Sequence, residues 1–266
     1  MLSLTIEASY DLKFFIFVKM KYRNINRNEM SHKRVFIDFE TNKAGDIFLV
    51  GVHWNEVFQQ IVLHEGLVGA AEARDLECLT MNEFTDKLLS LSTNIPMTLC
   101  AYTRAEAHVL ANFFGGNQSQ LSGFQYCDLH KAGKKWVNRF KHTEFNNLRP
   151  FRIGSSAYDQ RRQKWSLASI MRVTDYTAPS DYAPGKTTQR INSVINALDK
   201  KGGDFEKLSR TNKAKFTKLL KHNEFDVLAL IQLYDQIQSS DPRLIEHATQ
   251  KITAITNNDR ETSDEC

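Results

Sequence analysis

Two acidic side chains stand two residues apart at the end of an apolar run. Asp38 and Glu40 close the segment Val35-Phe36-Ile37-Asp38-Phe39-Glu40, whose β-branched and aromatic residues predict a strand. Side chains alternate between the two faces of a strand, so both carboxylates should point to the same side. Two such charges repel each other and are costly to desolvate unless a cation lies between them. A divalent ion such as Mg²⁺ or Mn²⁺ fits this need; the alternative is a strand end that emerges into solvent.

A histidine and an aspartate lie one helical turn apart near the end of the chain. His222 and Asp226 are separated by four positions in a segment with helical apolar spacing, so they should share one face of a helix. A histidine in this position can orient or deprotonate a water molecule that a metal ion holds on the carboxylate. The alternative is an ordinary His–Asp pair on a helix surface.

Two further acids stand where predicted strands end. Thr103 and Glu106 have the spacing of a capping box, in which the glutamate reaches back to the first residue of the helix. Glu106 could equally face a metal ion at the end of the preceding strand, and the sequence leaves both roles open. Asp128 ends another predicted strand and could cap the following helix or add an acid to the same site.

Charge is unevenly distributed along the chain. Residues 34–130 contain five Lys/Arg and twelve Asp/Glu, whereas residues 131–221 contain twenty-one and seven. A carboxylate-rich metal centre beside a phosphate-binding surface would produce this division, and so would solvated surface charge. Aromatic rings lie between the cations of 131–164, a combination suited to single-stranded nucleic acid. The residues expected to contact it are Lys131, Lys134, Lys135, Trp136, Arg139 and Lys141.

Other classes of protein are disfavoured. The four cysteines are scattered and form no CxxC pair, which argues against a zinc ribbon or a disulfide framework and favours a reducing, cytoplasmic location. No apolar run approaches the roughly 20 residues that span a bilayer. The segment 184–188 resembles part of a phosphate loop, but Ser180 stands where that motif requires glycine.

The elements that must position these side chains predict an α/β fold. Strands are expected at 35–40, 47–53, 59–64, 97–102 and 124–129, with helices at 80–91 and 103–114, which gives an antiparallel meander plus parallel strands in a mixed sheet flanked by helices. The second half is expected to be helical at 165–172, 186–198 and 212–238, the last as one long helix or two joined ones, with a further helix after Pro242. Residues 1–33 are expected to be a poorly ordered extension, 34–256 the domain, and 257–266 a disordered tail.

In order along the chain, these motifs resemble those of the DEDD 3′–5′ exonucleases, which have an RNase H-like fold. The segment 36–41 resembles the first motif, Asp-x-Glu, and 101–106 resembles the second, although Glu106 stands where the family usually has aspartate. The segment 126–129 resembles the strand that follows, and 165–167 resembles a helix start in the YprB-like predicted exonucleases. The segment 222–227 resembles the last motif, with three residues between the histidine and Asp226 where the histidine variant has four.

The resemblance implies a function and a set of ligands. Asp38, Glu40, Glu106 and Asp226 would hold two divalent cations, Mg²⁺ or Mn²⁺, and His222 would be the base that orients water. The expected activity is hydrolysis of phosphodiester bonds in DNA or RNA from a 3′ end by a two-metal mechanism. The expected partner is single-stranded nucleic acid rather than a membrane. The alternative is a weakly active or inactive member of the same fold that binds nucleic acid or docks a protein partner.

Overall fold

The computed structural model describes residues 33–42, 45–91, 97–113, 123–148, 164–177 and 187–252. The extension predicted at the N-terminus, apart from Lys33, and the tail predicted at 257–266 lie outside these ranges. Most of the basic and aromatic segment after residue 148 also lies outside them.

A seven-stranded mixed sheet forms the centre of the domain, in the order β4-β3-β2-β1-β5-β6-β7. Its strands are β1 Lys33–Thr41, β2 Ile47–Trp54, β3 Val57–Val62, β4 Glu77–Cys78, β5 Met97–Ala101, β6 Phe124–Asp128 and β7 Thr249–Lys251. β1, β2 and β3 form the predicted antiparallel meander, and β5 and β6 run parallel to β1. The predicted α/β class is confirmed, and the arrangement is consistent with an RNase H-like fold.

Helices lie on both sides of this sheet. They are α1 Val68–Glu72, α2 Met81–Leu91, α3 Arg104–Phe113, α4 Leu129–Phe140, α5 His142–Asn146, α6 Leu167–Met171, α7 Thr187–Asp199, α8 Arg210–Ser240 and α9 Arg243–Glu246. Short 3-10 turns precede α1 and α8. Among the described helices, none combines the length and the apolar character needed to cross a membrane.

The alternation of β1 assigns its residues to two different cores. Val35, Ile37 and Phe39 pack in a cluster with side chains of α2 and α3. Phe36 packs in the other cluster, with side chains of α4, α6 and α8. Since side chains two apart share a face, Asp38 and Glu40 lie on the same side of the sheet as Phe36, which is the side covered by α8.

The parallel central strands bring three strand ends to one edge of the sheet. β1, β5 and β6 end there at Thr41, Ala101 and Asp128. The pairing of β1 with β2 is irregular between Glu40 and Thr41, and such irregularities are frequent next to functional sites. The topology therefore places the acids at the end of β1 beside the start of α3, which carries Glu106.

Some elements differ from the sequence prediction. The segment predicted at 212–238 is one continuous helix, α8, which extends two residues further at each end. The helix predicted after Pro242 is a single turn, α9, and β7 follows it. The short strands β4 and β7 and the short helices α1 and α5 had no counterpart in the prediction.

Candidate metal centre

Three predicted site residues converge where α8 crosses the end of β1. Glu40, His222 and Asp226 each offer a ligand atom, and these atoms all lie within 4.8 Å of one another. His222 Nε2 is 3.3 Å from Asp226 Oδ2, so the pair shares one helix face as its spacing predicted. The first and last motifs, 182 residues apart between Glu40 and His222, therefore meet in one site.

The local sequence explains how α8 reaches this position. Ser209 caps the helix by accepting a hydrogen bond from Asn212 N at 3.3 Å, as serine at this position commonly does. The buried residues Phe225, Val227 and Leu230 pack into the core beneath the helix. The cap defines where the helix begins, and the core packing holds its middle against the sheet. Together they determine the positions of His222 and Asp226.

Glu40 is the most confined of these acids. Its side chain is 7% exposed, and its Oε1 atom is buried with no hydrogen-bond partner among the described residues. Burial, together with the negative charges of Asp38 and Asp226, raises the pKa of Glu40 well above its usual range. A buried oxygen with no donor is stabilised by a cation, so the site fits a divalent metal ion.

Asp38 lies beside Glu40 and is held by an amide. Asn223 Nδ2 donates to Asp38 Oδ2 at 3.0 Å and to the Asp38 backbone oxygen at 3.1 Å. Burial raises the pKa of the Asp38 carboxyl to about 6, and the hydrogen bond from Asn223 opposes part of that rise. Asp38 is therefore a poorly solvated acid at the edge of the same cluster.

Glu106 has the capping role that the sequence left open, and its charge also acts on the acid cluster. Its Oε2 atom accepts hydrogen bonds from Thr103 Oγ1 at 2.8 Å and Thr103 N at 3.2 Å, so the capping interaction is present. Burial, and next the charge of Asp38, raises the pKa of Glu106 to about 7, and its charge in turn acts on Glu40. The residue caps α3 with one oxygen and remains electrostatically coupled to the acid cluster.

His222 is buried, and charges of both signs act on it, from Asp226 and from Arg190. Burial, and next the positive charge of Arg190, lower the pKa of His222 to about 4. The imidazole is therefore neutral at pH 7, which leaves a nitrogen lone pair able to bind a metal ion or to accept a proton.

Arg190 is a residue of this site that the sequence did not identify. It lies in α7, and its positive charge also lowers the pKa of Glu40. α7 is attached to the end of β1 by a hydrogen bond from Thr188 Oγ1 to Thr41 O at 3.3 Å, and Ile191 packs in the core. No local pattern distinguishes Arg190 from the other cations of the basic middle, so only the fold could reveal it.

Asp128 serves as a helix cap. Its Oδ1 atom accepts a hydrogen bond from Lys131 N at 2.8 Å at the start of α4, and Arg104 Nε lies 3.7 Å from Oδ2. Of the two roles that the sequence left open for Asp128, the structure shows the helix cap.

The predicted nucleic-acid residues lie on or beside α4, but they differ in availability. Lys131 and Lys135 are exposed. Arg139 forms an ion pair with Asp241, Lys141 lies 2.9 Å from Glu144, and Lys134 lies over the ring of Trp165. Lys131 and Lys135 are thus the members of this set with the least committed charge.

Trp136 was wrongly assigned to the nucleic-acid surface. Its side chain is 1% exposed, packs in the core under α4, and donates from Nε1 to Ser240 Oγ at 3.1 Å. A ring in this position has no free face on which a base could stack. The spacing of Leu129, Ala132, Trp136 and Val137 is that of a buried helical stripe, a signal that was present in the sequence.

Comparison with models of known families, with curated proteins and with solved structures finds no match to this chain.

Proposed function

We propose that this protein is a metal-dependent nuclease that hydrolyses phosphodiester bonds of DNA or RNA, with removal of nucleotides from a 3′ end as the expected polarity. The observation that carries the proposal is the buried cluster of Glu40, His222 and Asp226, in which Glu40 Oε1 lacks a hydrogen-bond donor among the described residues. Surface acids need no such partner, whereas buried acids of like charge must either hold a proton or be neutralised by a cation.

The donor set supports Mg²⁺ or Mn²⁺ as the cofactor. Glu40 and Asp226 would be ligands from the centre of the cluster, and Asp38 and Glu106 would complete it from β1 and α3. Divalent cations held there would supply a Lewis acid for a phosphoryl oxygen and lower the pKa of a bound water. Carboxylate ligands suit both ions, and an imidazole nearby favours Mn²⁺ of the two.

The protein's own side chains would act around the scissile phosphate. His222, neutral at pH 7, would accept a proton from the attacking water. Arg190, whose charge reaches both Glu40 and His222, would attract the phosphate and offset negative charge that develops during cleavage. The exposed Lys131 and Lys135 would contribute to binding the strand.

The test is cleavage of 5′-labelled single-stranded DNA and RNA with Mn²⁺ or Mg²⁺, compared with EDTA and with the Asp226→Asn variant. We expect a ladder of products that shorten by one nucleotide from the 3′ end, absent with EDTA and in the variant. A second set of substrates with a blocked 3′ end distinguishes the expected polarity from internal cleavage. The absence of any product from the wild-type protein with either metal would contradict the proposal.

A second candidate function has one observation in its favour. Glu106 Oε2 accepts two hydrogen bonds from Thr103, so this acid is partly used for capping, which supports a catalytically weak or inactive module of the same fold that binds nucleic acid or docks a partner. That function predicts binding to single-stranded oligonucleotides that is salt-sensitive and unaffected by EDTA, without cleavage.

A further inference from the structure

A row of three residues crosses the sheet beneath the middle of α8. Asp38 on β1 pairs with Gly51 on β2, and Gly51 pairs with Gln60 on β3. Residues directly opposite each other on neighbouring strands point to the same face. The two outer members of the row carry polar side chains, and the middle member carries none.

Asn223 of α8 occupies the space above this glycine. A Cβ atom placed on Gly51 would lie 2.3 Å from Asn223 Oδ1 and 2.8 Å from Val227 Cγ2, distances that atoms do not tolerate. Any other residue at position 51 would therefore displace the side chains of Asn223 and Val227 from these positions. Glycine allows the amide of Asn223 to reach both ends of the row.

The amide of Asn223 joins those two ends by hydrogen bonds. Its Nδ2 atom donates to Asp38 Oδ2 and to Asp38 O, and its Oδ1 atom accepts from Gln60 Nε2 at 3.1 Å. Gln60 Nε2 also donates to Leu220 O at 2.8 Å. An asparagine amide has two N–H donors, so both donors of this fully buried side chain are used on Asp38.

The orientation of this chain of hydrogen bonds is fixed by its ends. Each end is a backbone carbonyl, Leu220 O and Asp38 O, which can only accept. The nitrogen of Gln60 must therefore face α8, the oxygen of Asn223 must face Gln60, and the nitrogen of Asn223 must face Asp38. A rotated amide at either position would oppose two acceptors.

We propose that Asn223 is a positioning residue for the metal centre. Its amide holds Asp38 Oδ2 and leaves Asp38 Oδ1 as the oxygen that binds the metal ion. Gln60 sets the direction of the Asn223 amide, and Gly51 provides the space for it. The inference rests on the metal centre of the proposed function. A neutral donor suits this task because a lysine or arginine in its place would repel the cation.

The experiment is a double-mutant cycle in the full-length chain, read out as Mn²⁺ affinity by calorimetry. Asn223→Ala should weaken Mn²⁺ binding by about 10- to 100-fold, the usual effect of losing a residue that orients a metal ligand. In the Asp38→Ala background the same change should have less than about a threefold effect, because the residue it orients is already gone. Equal losses in both backgrounds, or no loss in the wild-type background, would overturn the proposal.

Gln60→Met gives a second variant that keeps the side-chain length and removes the amide group that donates to Asn223 and Leu220. It should weaken Mn²⁺ binding in the same direction and by less, since Asn223 remains in place. The matched control is Gln59→Met, the exposed neighbour on β3, which should leave the affinity unchanged. Wild-type protein that binds Mn²⁺ but cleaves no substrate would contradict the nuclease function alone, whereas wild-type protein that binds no Mn²⁺ would overturn both.

Discussion

The acid cluster around Glu40 and the basic face of α4 differ in the solvation of their charged side chains. In the cluster, burial raises the pKa values of Asp38 and Glu106 to about 6 and about 7, and Glu40 Oε1 has no donor among the described residues. On α4, Lys131 and Lys135 extend into solvent. The cluster lowers the stability of the fold in the absence of a cation, whereas the exposed lysines leave it almost unaffected.

This difference indicates where a functional interpretation is needed. Exposed lysines on a helix are adequately explained by solubility, so they give weak support for a ligand. Buried acids that repel one another destabilise the fold, and such a cost is retained where function needs it. They therefore give strong support for a ligand. The experiments below separate the two regions by asking which changes remove activity, which increase stability and which do neither.

The largest effect is expected for Asp226→Asn, which would remove a ligand from the centre of the cluster while keeping the shape of the side chain. Metal-dependent cleavage should become undetectable and Mn²⁺ affinity should fall by more than about 100-fold, the upper range for loss of a mere orienting residue. Asp235→Asn on the same helix is the control and should retain both properties. Normal Mn²⁺ binding by Asp226→Asn would contradict its role as a ligand.

A somewhat smaller effect is expected for His222→Gln. If the neutral imidazole accepts the proton of the attacking water, the substitution should lower kcat by about 10²- to 10⁴-fold. Mn²⁺ affinity should change by less than about tenfold, and the exposed His247→Gln should behave as wild type. A loss of Mn²⁺ binding as severe as that of Asp226→Asn would instead make His222 a metal ligand.

The sequence predicted the parts of this site that depend on local spacing. The alternation of β1 placed Asp38 and Glu40 on one face, and the four-residue spacing placed His222 beside Asp226. The helix predicted at 80–91 begins with a capping box, in which Thr80 N donates to Glu83 Oε2 at 2.7 Å and Glu83 N donates to Thr80 Oγ1 at 3.2 Å. Each of these patterns is set within one strand or one helical turn.

The residues that the sequence did not reveal depend on distant contacts. Gln60 and Asn223 are 163 positions apart, and Asn223 and Asp38 are 185 apart, so no local period links them. The need for glycine at position 51 arises from α8, whose side chains fill the space above it. The strands β4 and β7 are two and three residues long, too short for an alternating pattern, and they form because a neighbouring strand offers hydrogen bonds.

A moderate effect in the opposite direction is expected for Asp38→Asn in metal-free protein. The pKa values of Asp38 and Glu106 in the folded state, about 6 and about 7, exceed the ordinary 3.8 and 4.5. Between about pH 4 and pH 7 the folded protein therefore keeps protons that the unfolded chain releases. The free energy of unfolding of the metal-free protein should accordingly fall as the pH rises through this interval.

Asp38→Asn removes part of this penalty and should raise the free energy of unfolding at pH 8 by about 1–3 kcal/mol. Denaturant unfolding in EDTA measures the change, with the exposed Asp86→Asn as a control that should be neutral. Added Mn²⁺ should stabilise the wild-type protein more than it stabilises the variant. A metal-free variant that is less stable than the wild type would show that the carboxylate of Asp38 is favourable without a cation.

The smallest effect is expected for the double change Lys131→Ala and Lys135→Ala. Each exposed cation that contacts a phosphate contributes to the salt dependence of single-strand binding, so the slope of log affinity against log salt should become shallower by about 1.4. Affinity at moderate salt should fall less than tenfold, and stability should change by less than about 0.5 kcal/mol. Lys87→Ala on α2, which packs against the opposite face of the sheet, is the control.

An unchanged slope in the double variant would show that the lysines of α4 are only solvated surface charges. The nucleic acid would then bind another basic surface, such as the exposed Lys218 and Lys221 beside His222 on α8.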